Sequence, residues 1–144
     1  MALQQELHQG LPQSIRTLIF ALLFLPTLVL ARPVEVVSIY NGDSFTANVP
    51  GWPDIVGKRI GVRVKGVDTP ELRGKCQAEK ELARKAKQFA VTLLRDAQEV
   101  RLEEIERDKY FRLLAEVWID GERLDQLLIG ANFGYEYHGG KRRN

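Results

Sequence analysis

KRIGVRVKGVDTPEL, residues 58–72, alternates charged and apolar residues with a period of two, then breaks into an acid, a hydroxyl, a proline and a second acid. Alternation of this kind marks a half-buried strand, and this one delivers the chain to Asp68. Pro70 restricts the residue before it to extended backbone, so Thr69 presents its carbonyl in a predictable direction. Arg63 precedes Asp68 by five positions, an odd separation that sends the two side chains to opposite faces of a regular strand. Gly66 is the natural place for a bulge or bend that removes the mismatch.

Upstream, VEVVSIY (34–40) is rich in strand formers and ends at Asn41-Gly42, a strong hairpin signal. SFTANV follows, so Asp43 sits where the chain leaves the turn. Pro50-Gly51-Trp52-Pro53 is a loop. Downstream, Ala78, Leu82, Ala86, Phe89, Leu93 and Ala97, joined by Ala83, Ala90 and Leu94, recur at helical spacing and predict a helix over 77–97. EVRLEEIE (99–106) and RLLAEVWI (112–119) predict two more strands around residues 107–111, with Asp120-Gly121 as the next turn. A last helix, 123–131, ends near Gly130 and Asn132, as helix C-termini commonly do. The pattern is α+β without a βαβ repeat. Five such strands suit a small OB-type Greek-key barrel, here with two to three helices.

The chain has 144 residues, 44% hydrophobic and 28% charged, which excludes collagen-like and disordered classes. Residues 17–31 (TLIFALLFLPTLVLA) are uncharged and apolar, preceded by Arg16 and closed by Val29-Leu30-Ala31. That layout predicts a signal peptide over 1–31 and a mature domain over 32–144. A core helix interrupted by Pro26 and an uncleaved anchor are the alternatives, the latter shorter than the ~20 residues a spanning helix needs. Cleavage would leave a secreted or periplasmic monomer with no stable membrane association. Cys76 is the one cysteine, so no internal disulfide forms. It is a free thiol or an intermolecular partner.

Asp43, Asp68 and Glu71 are oxygen donors at turns or strand ends, of a type that suits calcium or magnesium. Each also has an ordinary explanation as a turn or capping residue. Arg63 could equally be an exposed charge on a half-buried strand. Arg112 follows Asp108-Lys109-Tyr110, and its fork of donors suits a phosphate held in one orientation. Tyr110 and Tyr137 could stack on a base or pack at strand ends.

Taken together, NGDS, VRVKGVDTPE, DKYFR and a late tyrosine before GGKR occur in the order and spacing of one family. From about Val34 to Arg142 the chain resembles the staphylococcal, thermonuclease-like nucleases of the exported bacterial branch. The resemblance implies a calcium-dependent phosphodiesterase acting on DNA and RNA and leaving 3′-phosphate ends. It implies that Asp43 and Asp68 ligate Ca²⁺ through carboxylates and Thr69 through its carbonyl. Glu71 would position or deprotonate water, Arg63 and Arg112 would bind the scissile phosphate, and Lys109, Tyr110 and Tyr137 would hold the nucleotide. Ser44 stands where the family usually has threonine. Phe111 replaces the glycine usual between the tyrosine and the arginine, where a bulky residue cannot adopt positive φ without cost. The alternative is a catalytically weak or inactive nucleic-acid-binding module on the same barrel. Substitution of Arg63 or Glu71 by alanine is expected to cost orders of magnitude in rate with the fold intact.

Overall fold

In the computed structural model, residues 32–140 are described. The expected signal peptide and residues 141–144 lie outside them. Nine strands and three helices follow in chain order among the described residues: β1 (Arg32–Pro33), β2 (Glu35–Asn41), β3 (Ser44–Asn48), α1 (Asp54–Gly57), β4 (Ile60–Val64) and β5 (Gly66–Asp68). Then come α2 (Gln77–Asp96), β6 (Val100–Arg107), β7 (Leu113–Ile119), β8 (Glu122–Arg123), α3 (Leu124–Gly130) and β9 (Tyr135–Tyr137).

Five long strands form the barrel in the order β6-β7-β4-β3-β2, and β1 pairs with β6 at the far edge. Because β1 and β2 are nearly continuous along the chain, that pairing (Arg32↔Leu102, Pro33↔Arg101) brings the first strand's course round to the last edge of the sheet. All long pairings are antiparallel except β4 with β7, where Arg63 stands opposite Leu114. This is the OB-type arrangement expected from the strand pattern. Closure requires strands to bend, and β2 and β6 do so through register shifts, with Glu104 at φ +48° inside the shift in β6. The inward positions of alternating strands, among them Val62, Val64, Leu113, Ala115 and Val117, fill the interior with Leu124 and Leu128 of α3. Full burial of each Val or Leu contributes about 1.5–3 kcal/mol.

Three details depart from the sequence pattern. The hairpin turn is centred on Gly42-Asp43, since Asn41 pairs with Ser44. Gly42 does not have positive φ. A side chain there would place its Cβ 2.9 Å from Thr69 Cγ2 and 3.3 Å from Ala86, so glycine is required by close approach. The expected third strand is two strands: β4 belongs to the barrel, while Gly66, at φ +88°, turns the chain so that β5 pairs with β9 in a separate sheet. In α2 the buried face is Ala83, Ala86, Ala90 and Leu94, whereas Ala78 and Leu82 are exposed. Small residues face the barrel because α2 lies close against the hairpin at Gly42. Cys76 caps this helix, its Sγ accepting from Glu79 N–H at 3.4 Å, and is exposed and unbridged.

Candidate functional site

The turn after β2, the end of β4, the β5 exit and the β6–β7 loop open onto one cleft of ≈ 620 Å³. Asp43, Arg63, Asp68, Glu71, Lys109, Tyr110, Arg112 and Tyr137 all line it, together with Tyr40, Asn41, Ser44 and Asp108. Eight of the nine residues singled out in the sequence are therefore neighbours of one space. Thr69 is the exception: it is buried behind the cleft, with its N–H and hydroxyl donating to Asp43 Oδ2 at 2.7 and 2.9 Å.

Asp43 and Asp68 are each 2% exposed, and one guanidinium joins them. Arg63 Nη1 lies 2.5 Å from Asp43 Oδ2, and Nη2 donates to Asp68 Oδ1 at 2.8 Å. Ser44 Oγ adds a donation to Asp43 Oδ1 at 3.0 Å. The second oxygen of Asp68 accepts from Tyr135 Oη at 2.7 Å. Burial, and then the bond to Asp68, pushes the Tyr135 phenol up to about 12. Tyr135 had no signal in the sequence beyond lying two positions before Tyr137 on the same face of a strand.

Arg112 is held by a different acid. Its Nε donates to Asp108 Oδ2 at 2.8 Å and Nη2 lies 2.7 Å from the same oxygen, while Asp108 Oδ1 accepts from the backbone N–H groups of Arg112 and Tyr110. Burial pushes the Asp108 carboxyl up, but the donations from Arg112 and Tyr110 outweigh it and hold the group below its ordinary value. Gly61 matters here, because a Cβ on it would stand 3.0 Å from Arg112 Cγ, so its absence lets Arg112 lie across β4. The positioning role of Asp108 was hidden in the sequence, where Asp-Lys-Tyr reads as an ordinary polar loop. Glu71 is exposed on the cleft wall, and Tyr137 turns its hydroxyl onto Gly140 O at 2.8 Å. Phe111 adopts φ +68°, the conformation its glycine counterpart would take without strain.

Two buried carboxylates share one guanidinium, so the group carries a net negative charge of the kind a hard cation complements. Among the described residues no three His, Cys, Asp or Glu side chains are placed to hold a metal by themselves. A divalent cation would need the two carboxylates and an additional oxygen such as a backbone carbonyl. The donor chemistry fits calcium on those terms.

A family model described as staphylococcal nuclease homologue matches residues 61–139. No curated protein matches the chain. The matched span begins in β4, so it takes in Arg63, Asp68, Glu71 and Arg112 but not Asp43.

Proposed function

Since the chain belongs to the staphylococcal nuclease homologue family, we propose that its cleft hydrolyses phosphodiester bonds of DNA and RNA in a calcium-dependent reaction and leaves 3′-phosphate ends. The observation that carries this is the convergence of Asp43, Asp68, Glu71, Arg63 and Arg112 on one cleft from four separate parts of the chain.

Asp43, Asp68 and the carbonyl of Thr69 would hold Ca²⁺, which supplies positive charge against the phosphate oxygens. Arg63 and Arg112 face the same space and stabilise the negative charge that grows on those oxygens as phosphorus becomes five-coordinate. Both arrive pre-oriented, Arg63 by the two aspartates and Arg112 by Asp108, so little side-chain freedom is lost when substrate binds. Glu71 accepts the proton of the attacking water. The new P–O bond forms as the bond to the 5′ oxygen breaks, and that oxygen takes a proton from solvent. Lys109, Tyr110 and Tyr137 hold the adjoining phosphate and base. An exported protein meets calcium at concentrations suited to a weak site of about 10⁻⁴–10⁻³ M, so the apolar run at 17–31 and the cofactor support one another.

Digestion of single-stranded DNA and of RNA under a calcium titration, with end-group analysis, tests this directly. Cleavage that stops with chelator and yields 3′-phosphates is expected. Undiminished cleavage in chelator would remove the metal assignment. Binding without cleavage at any calcium concentration would favour a binding module instead.

A further inference from the structure

Phe111 is an anomaly that the site just described does not absorb. Its backbone sits at φ +68°, a region that disfavours bulky L residues, yet the residue is 74% exposed, so little burial offsets the strain. Strain retained where packing returns nothing points to work done on something outside the molecule. The ring has one face covered: the Arg107 guanidinium lies 4.9 Å from its centroid, and Arg107 Nη1 also donates to the Phe111 carbonyl at 3.0 Å. Beside it, Tyr110 is 68% exposed and carries Lys109 at 5.0 Å and Arg112 at 5.4 Å from its own centroid. Two exposed rings are thus interleaved with three cations along the β6–β7 loop. Tyr110, Lys109 and Arg112 line the cleft, whereas Phe111 and Arg107 do not.

An apolar protein surface would gain little from rings so closely set among cations. A polyanion with flat, unpaired bases gains from both, because stacking on aromatic faces and charge along the backbone are how single strands are held without sequence preference. We infer that Phe111, backed by Arg107, is a stacking subsite for an unpaired base just outside the cleft. It extends the grip to a polynucleotide long enough to pass from Arg112 over the outer side of the loop. This rests on the nucleic-acid reading of the cleft and assigns to that site a single-stranded substrate spanning more than the nucleotides at the scissile bond.

Binding of a fluorescent single-stranded oligonucleotide and of a dinucleotide, measured by anisotropy in chelator, tests the subsite apart from hydrolysis. Phe111→Gly keeps the backbone conformation while removing the ring, and should weaken oligonucleotide binding about tenfold, as loss of one stacked base does. Dinucleotide affinity should change little, and Phe111→Trp should restore the loss. Arg107→Gln should make the salt dependence of oligonucleotide binding shallower. Oligonucleotide affinity unchanged in Phe111→Gly, or an equal loss on both ligands, overturns the subsite. A wild-type protein that binds the oligonucleotide but does not cut it with calcium loses the hydrolase assignment and keeps this one; a protein that binds neither ligand loses both.

Discussion

Arg63 donates to Asp68 at 2.8 Å although the two lie five residues apart on what alternation presents as one strand. The contact exists because Gly66, at φ +88°, ends β4's course and sends Val67 and Asp68 into a second sheet. Arg63 is mostly buried and faces two carboxylates that are nearly fully buried. Its removal would leave those charges uncompensated, which argues against the expectation that Arg63→Ala keeps the fold intact. A loss of about 3–5 kcal/mol is expected in chelator, the usual cost of breaking a buried pair. Calcium at a hundredfold over its dissociation constant should return about 2.7 kcal/mol. Thermal melts of the variant with and without calcium check this, and a variant whose stability is the same in both would rule out a cation beside these acids.

Glu71 is exposed, so its replacement should separate chemistry from stability. Glu71→Gln is expected to lower the cleavage rate by about 10²–10⁴ while stability stays within about 0.5 kcal/mol. A variant with near-normal turnover would place the proton acceptor elsewhere.

Tyr135 gives a signature in alkaline solution. Its folded-state phenol is pushed up to about 12 from 10, so the folded protein favours the protonated form. The resulting stability is fully present below pH 10 and is lost as pH rises through 12. Tyr135→Phe should lose about 1.5–3 kcal/mol at neutral pH, typical of a hydrogen bond to a charged group, and should lack that alkaline limb. Denaturant melts from about pH 8 to about pH 12, a range that takes in both values, would show whether the two proteins converge; parallel curves would contradict the assignment.

Asp108 behaves in the opposite sense. Its carboxyl is held below the ordinary 3.8, so the stability it contributes is present above that value and is lost as pH falls below it. Asp108→Asn should flatten this acid limb. It should also reduce the cleavage rate by up to about a hundredfold through misplacement of Arg112, and an unchanged rate would show that Arg112 needs no such restraint.

Phe111→Gly should raise stability by about 1 kcal/mol, because glycine occupies the left-handed region without the Cβ penalty. Chemical denaturation measures the gain. A destabilised variant would mean that the exposed ring packs against the fold in solution.

The barrel was legible because period-two alternation, Asn41-Gly42 and Asp120-Gly121 are all local signals, and local signals locate strands and turns. What they could not give was distance. Thr69 donating to Asp43 links residues 26 positions apart, and Tyr135 reaching Asp68 links residues 67 apart, so neither contact leaves a periodic trace. The exposure of Ala78 and Leu82 was equally hidden, since helical spacing defines a stripe but not how closely a hairpin will press against it. Phe111 ran the other way: its oddity was visible in the sequence, and the left-handed backbone shows that the oddity is retained and not evaded.

Asp68 takes Arg63 from the barrel on one oxygen and Tyr135 from the β5–β9 pair on the other. One carboxylate is therefore the clasp between two sheets as well as a wall of the cleft. Fraying of β9 would unfasten the acidic wall of the cleft from behind, and a chain truncated ahead of Tyr135 should forfeit function before it forfeits its barrel.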